Sequence, residues 1–179
     1  MRALVVYESM YGNTHVIATH IAAGLRDTYE VTLVPVSRAT AELIAGADLL
    51  VVGAPTHMHG LSTASSRQAA RKAAAKPDSG LVLDPDAGGP ALRGWFAGLV
   101  GGHALAAAFD TRMAGAPVLT GRASRGISRQ LQRHGYHLIV PPESFTVTKL
   151  NTLVDGESSR ARRWGAALAA TAELVLRIA

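Results

Sequence analysis

Strand-like and helix-like segments alternate five times along this chain, and that alternation limits its fold more than any other feature. The first run, Ala3-Leu4-Val5-Val6-Tyr7, is continuously apolar and rich in β-branched residues, as expected of a strand covered on both faces. Glu30 to Val36 alternates and reads as a second strand, with Pro35 placing it at an edge. Ala47 to Pro55 is another continuous apolar run, and His103 to Phe109 a fourth, its alanines suited to close helix packing. His137 to Val140 begins a last strand that Pro141-Pro142 interrupts and Ser144 to Val147 resumes. Between them lie helical spacings: Val16, Ile17, Ile21 and Leu25, then Ala39 to Ala45, then the Ala-rich part of 60–75 with Gln68, Arg71 and Lys72 outward. Ala91 to Val100 follows, with Leu92, Trp95, Phe96 and Leu99 on one side. Ser124 to His134 comes next, with Gly135 as its C-cap. Glu157 to Ile178 is the longest helix, with Trp164, Leu168, Leu174 and Ile178 spaced for a packed face.

This order predicts an α/β fold: a doubly wound parallel sheet of five strands in the order 2-1-3-4-5, with helices on both faces, because each crossover must be right-handed. The length, 179 residues, suits one domain spanning 1–179. With 48% hydrophobic and only 17% charged residues, the chain is not of the disordered class. No apolar run reaches the length of a membrane span, and no signal peptide is expected at the start, so the cytoplasm is the default compartment. The absence of cysteine excludes disulfides, thiolate metal sites and cysteine catalysis. Lys76 to Pro90 reads as a surface excursion, and residues 77–90 as a lid, a dimer contact or a solvated loop.

Ligands of such sheets sit beyond the C-terminal strand ends, where the strand order reverses. That rule selects three loops: Ser9–Thr14, Pro55–Gly60 and Asp110–Gly121. The first joins a strand to a helix through small hydroxylated residues and one glycine, so free amides of the first helical turn face the loop and can cradle a phosphate. Ser9, Asn13 and Thr14 can add side-chain donors, although the same residues would also cap an ordinary turn. The loop lacks both the Gly-Lys-Ser/Thr ending of an ATP-binding loop and Gly-x-Gly-x-x-Gly. In the second loop, His57 and His59 have no third ligand nearby in sequence and make no metal site. In the third, Asp110 and Arg112 suit either ligand contact or a local ion pair.

Three strings, Tyr7–Thr14 (YESMYGNT), Gly53–His57 (GAPTH) and Phe109–Arg112 (FDTR), stand in the order found in the flavodoxin-like proteins of high-GC bacteria. The chain resembles that family from Arg2 to about Ala169. The resemblance implies an FMN site. Ser9, Met10, Tyr11, Gly12, Asn13 and Thr14 would surround the phosphate, with Tyr11 where many flavodoxins have Thr. Pro55, Thr56, His57, Met58, His59 and Gly60 would contact one edge of the flavin, and Phe109, Asp110, Thr111 and Arg112 the other. The aromatic residues that many flavodoxins stack on the ring have no obvious counterpart, and Met58 and Met113 are the apolar candidates.

The implied function is an FMN-binding redox protein that carries electrons between a reductase and a protein or small-molecule acceptor. Two alternatives remain: a flavodoxin-like quinone reductase or protoporphyrinogen-type oxidase, and a non-redox module with a degenerate flavin site. No Ser-His-Asp set, carboxylate pair or metal cluster has usable spacing, so hydrolytic classes are disfavoured. The net charge is +5, whereas flavodoxin shuttles are usually acidic. An acidic redox partner and a raised hydroquinone potential are therefore expected. Fifteen of the eighteen basic residues are Arg, scattered rather than gathered in one arm, which argues against nucleic acid. Arg122, Arg125, Arg129 and Arg133 are near helical spacing and read as a solvated helix face.

Overall fold

In the computed structural model, which describes residues 1–178, strand β1 (Arg2–Tyr7) runs through the middle of one sheet. It pairs in parallel with β2 (Glu30–Pro35) on one side and β3 (Leu49–Pro55) on the other. β3 pairs with β4 (Leu105–Met113), and β4 with both β5 (His137–Leu138) and β6 (Glu143–Val147). The order is β2-β1-β3-β4-β5, with β6 continuing alongside β4, so β5 and β6 are two pieces of one last strand split at Pro141-Pro142. Pro35 does lie on the edge strand, where a residue without an N–H is tolerated.

Alternate residues of the central strands feed two cores. Val5, Tyr7, Val51, Ala107 and Phe109 face helices α1 (Asn13–Leu25) and α7 (Glu157–Ile178). Leu4, Val6, Leu50, Val52, Ala106 and Ala108 face the other side, where Leu92 and Phe96 of α4 (Leu92–Ala97) and Ile127 and Leu131 of α6 (Ala123–Arg133) cover them. The shorter helices α2 (Ala41–Ala45), α3 (Ala64–Ala74) and α5 (Pro117–Thr120) complete the layers. No helix among the described residues is long and apolar enough to cross a membrane.

Three expectations fail. First, β4 does not end at Phe109: it continues to Met113, because β6 pairs with it residue for residue from Phe109↔Glu143 to Met113↔Val147. Residues 110–113 of the expected loop 110–121 are therefore strand, and α5 takes up four more.

Second, Leu174 of α7 is 59% exposed, and the side chain of Ile178 lies outside the described residues. The packed face uses small residues instead: Ala161, Ala169 and Ala172 are buried beside Leu168. A Cβ on Gly24 would fall 2.0 Å from the Arg162 carbonyl oxygen, and one on Gly165 would fall 2.3 Å from that of Ile21. Helices α1 and α7 thus touch backbone to backbone, a spacing that larger residues would prevent.

Third, the 76–90 excursion is anchored at its C-terminal end. The Asp84 amide donates to the Met10 carbonyl (2.9 Å), Asp84 and Ala87 are buried, and residues 85–88 form a 3-10 turn.

Candidate functional site

Strand β1 ends at Tyr7, and within five residues the chain must reverse into α1. Gly12 makes that reversal with φ +89°, a left-handed conformation that costs a residue bearing Cβ about 1 kcal/mol. A Cβ there would meet nothing within 4 Å, so glycine is needed for its dihedral and leaves open space above the loop. The Gly12 amide donates to Ser9 Oγ at 3.1 Å, drawing the loop into a ring, and Val16 N–H donates to the Gly12 carbonyl. The main-chain amides of Tyr11, Asn13, Thr14 and His15 have no acceptor among the described residues. These are the free donors of a helix start, gathered at its positive end.

Two side chains of this loop are already committed. Asn13 Nδ2 donates to the Asn151 carbonyl (2.9 Å) and Oδ1 (3.2 Å), tying the cradle to the turn after β6. Tyr11 Oη donates to the Ala70 carbonyl (2.9 Å), holding the loop to α3. Met10 is buried against Ala70 and Ala87.

Beneath the loop stands a buried ion pair. Glu8 Oε1 accepts from Arg67 Nη1 (2.6 Å) and Ser62 Oγ (2.5 Å), while Oε2 accepts from the Leu92 amide (2.8 Å). Arg67 also donates to the Ala87 and Gly89 carbonyls. One pair therefore binds the end of β1, the start of α3, the 85–89 turn and the start of α4. Arg67 was invisible to periodicity, which assigns a charged residue to a solvent face.

A cavity of about 250 Å³ lies at the C-terminal ends of β1, β3, β4 and β6. It brings together Met10, Tyr11, Asn13 and Thr14 with Pro55, Thr56 and His57, and with Thr111 and Arg112. Thr14 Oγ1 and Thr111 Oγ1 share a buried hydrogen bond of 2.7 Å, joining the first and third loops directly. Thr56 N–H donates to the Thr111 carbonyl, and Thr56 Oγ1 accepts from the Ala123 amide, so the second loop is locked to both β4 and α6. Burial, the largest influence, pushes the His57 imidazole below its ordinary pKa, so it is neutral at neutral pH.

Phe109 and Asp110 fall outside this cavity. Phe109 is fully buried, edge-on to Phe145 and Trp164, and belongs to the core beneath. Asp110 is buried, and its Oδ2 accepts from the Ser124 amide at 2.7 Å. Burial raises its pKa, against the opposing pull of Ser124, Ser144 and Arg122. Arg112 does not pair with it. Its Nη1 donates to the Met113 and Gly115 carbonyls and to Thr120 Oγ1, which shapes the 113–120 segment.

Residues His57 to Gly60 form a two-residue reverse turn closed by reciprocal bonds (His57 N–H to Gly60 O, 2.8 Å; Gly60 N–H to His57 O, 3.1 Å). Its central residues Met58 and His59 have φ of +44° and +75°. Met58 is 87% exposed at the tip, away from the cavity, so of the two expected thioethers only Met113 lines it, together with Met10. Val147, Thr148, Lys149 and Asn151 line the cavity too and were missed as site residues. Their position after the last strand was the available signal, since the strand-end rule applies to every strand.

A sheet ordered β2-β1-β3-β4-β5, with a phosphate-type cradle after β1 and a cavity at the strand reversal, defines a flavodoxin-like α/β protein. Residues 5–89 match the flavodoxin family model. It is similar to the structure of a flavodoxin from the domain Archaea (TM-score 0.64, 17% identity, covering 97% of this chain and 99% of that one). It is also similar to oxidised Flavodoxin 1 from Bacillus cereus (0.63, 19%, covering 93% and 95%). A flavodoxin, WrbA-like protein from Agrobacterium tumefaciens aligns at 0.61 and 19%, covering 97% and 98%. At these identities the structural likeness carries the fold. No curated protein matches the chain.

Proposed function

We propose that this chain binds FMN at the β1–α1 loop and carries electrons between a reductase and an acceptor. The observation that supports the reading best is the set of four main-chain amides, Tyr11, Asn13, Thr14 and His15, left without acceptors around a left-handed Gly12. Such a set suits the three terminal oxygens of a phosphomonoester, and hydrogen bonds to a charged acceptor are worth roughly 1.5–3 kcal/mol each. When bound, FMN supplies reversible electron acceptance, and the protein supplies position and field.

The chain's own parts have separable tasks. The amides hold the phosphate, and the dipole of α1 favours its negative charge. The Thr14–Thr111 hydroxyl pair and the Thr56–Thr111 main-chain bond fix the spacing of the walls on which a planar ring would rest. His57, neutral and mostly buried, offers a ring nitrogen without adding charge to that wall. Cations near this end, Arg112 and Lys149 among the cavity residues, favour a more negative bound group and hence a higher reduction potential than an acidic flavodoxin would set. The same charge favours docking of an acidic redox partner.

Titration of FMN with the purified chain tests the binding step: saturable quenching of flavin fluorescence at one equivalent is expected. Anaerobic reduction by reduced ferredoxin, NADH and NADPH, followed by quinone addition, then separates carrier from enzyme. Catalytic quinone turnover would move the assignment to a quinone reductase. Absence of quenching would move it to a non-redox module.

A further inference from the structure

A second cavity, of about 340 Å³, lies on the far side of the His57–Gly60 turn. Four guanidinium groups line it: Arg93 from α4, Arg122 from the N-terminal end of α6, and Arg129 and Arg133 from the body of α6. His59 and Gln130 complete its polar wall, and no Asp or Glu lines it. Arg122, Gly126, Arg129 and Arg133 follow helical spacing and share one face, while Arg125, also exposed, lies off it. Gly126 leaves the floor open, since even a methyl there would meet only Leu61 at 3.8 Å. The sequence reading of a solvated helix face therefore misses the concavity, which needs Arg93 and His59 from two other elements.

None of the four arginines takes part in an ion pair among the described residues. Arg93 and Arg122 are nonetheless oriented. Arg93 donates from Nε to the Ser62 carbonyl (3.2 Å) and from Nη2 to that of Leu61 (3.1 Å). Arg122 donates from Nε to Ser144 Oγ (3.0 Å) and from Nη2 to the Pro142 carbonyl (2.8 Å). Each keeps its Nη1 edge free, and Arg129 and Arg133 donate to no acceptor among the described residues. Like charges held around one hollow repel each other, and a single multivalent anion relieves all of those repulsions at once. Guanidinium forks match the spacing of oxygens on phosphorus, which favours phosphate over a scattered set of carboxylates.

We propose that this cavity is a binding site for the phosphate or diphosphate group of a small organic phosphate, separate from the β1–α1 cradle. The volume exceeds what one inorganic phosphate fills, so a larger phosphorylated molecule is the occupant. The proposal does not depend on FMN binding, because the two cavities share no lining residue.

Calorimetric titration with inorganic pyrophosphate at 50 mM salt tests it, using FMN-saturated and FMN-free protein. One saturable site is expected in the FMN-saturated protein, and it is retained in the FMN-free protein. The double variant Arg129→Gln, Arg133→Gln, whose side chains are exposed and make no hydrogen bond or ion pair among the described residues, should weaken it at least tenfold. Arg125→Gln should change it less than twofold, and Thr14→Val in the cradle should leave it in place. Absence of saturation at millimolar pyrophosphate, or an equal loss in Arg125→Gln, would overturn the site. Tighter binding of citrate would overturn the choice of phosphate. Polyglutamate binding tenfold tighter than pyrophosphate would overturn it in favour of an acidic protein surface, and loss through Thr14→Val alone would reassign the binding to the cradle.

Discussion

Replacing Arg67 with methionine tests how the cradle is held up. Arg67 and Glu8 are nearly inaccessible, with side chains 6% and 2% exposed, so water cannot compensate for a lost partner. The substitution removes the 2.6 Å bond to Glu8 and the bond to the Gly89 carbonyl. The Ala87 carbonyl keeps a longer bond from Arg71 (3.2 Å). Breaking a buried ion pair by removing one member costs about 3–5 kcal/mol. The orphaned Gly89 carbonyl adds about 1 kcal/mol. A loss of about 4–6 kcal/mol is a large part of the stability of an ordinary domain, ~5–15 kcal/mol.

Urea denaturation should show the midpoint falling with an unchanged slope. Arg71→Met, which shares the Ala87 carbonyl but is exposed, should cost less than about 1 kcal/mol. The double variant Glu8→Gln, Arg67→Met should recover at least half of the loss, because it removes the buried charge and keeps an acceptor for the Leu92 amide. A single-variant loss below about 1 kcal/mol would refute the idea that this pair holds the β1 end, α3 and the 85–89 turn together.

Other expectations are independent of that pair. Gly165→Ala should destabilise the protein by about 2 kcal/mol or more, read as a lowered Tm, because its Cβ would press on the Ile21 carbonyl oxygen at 2.3 Å. Helix propensity alone predicts a gain of about 1 kcal/mol, so the sign of the change decides between them. Burial raises the Asp110 pKa above its unfolded value, so the folded state holds that proton more tightly. Its contribution is most favourable below the unfolded value and is lost as pH rises through the folded one. Wild type should therefore lose stability relative to Asp110→Asn as pH rises from about 4, measured by paired melts. With FMN bound, Arg112→Gln should lower the midpoint potential by tens of millivolts at low salt, a shift on the order of 1 kcal/mol, and less at high salt.

The strand runs were legible because burial on both faces leaves an unbroken apolar string, as at Ala3–Tyr7 and Leu49–Ala54. The strand order followed from handedness, and the cradle from one glycine between a strand and a helix. Legibility stopped where a residue's surroundings depend on distant chain. Asp110-Thr111-Arg112 looks like loop until β6 arrives to pair with it. Phe109 fits a ligand string, yet its side of the sheet sends it into the core with Tyr7 and Val51. Leu174 fits a helical stripe, but α7 meets α1 through glycine and alanine, which a hydrophobicity pattern undervalues. Arg67 gives no signal in its own neighbourhood, because its partner lies 59 residues earlier.

Comparison of FMN with riboflavin by calorimetry on the same apoprotein is the most direct test, since the two differ only by the phosphate that the free amides of Tyr11, Asn13, Thr14 and His15 would hold. FMN should bind on the order of 100-fold more tightly than riboflavin, equivalent to about 2.7 kcal/mol from the phosphate contacts. Equal affinities, or no binding of either, would contradict the cradle and with it the redox reading.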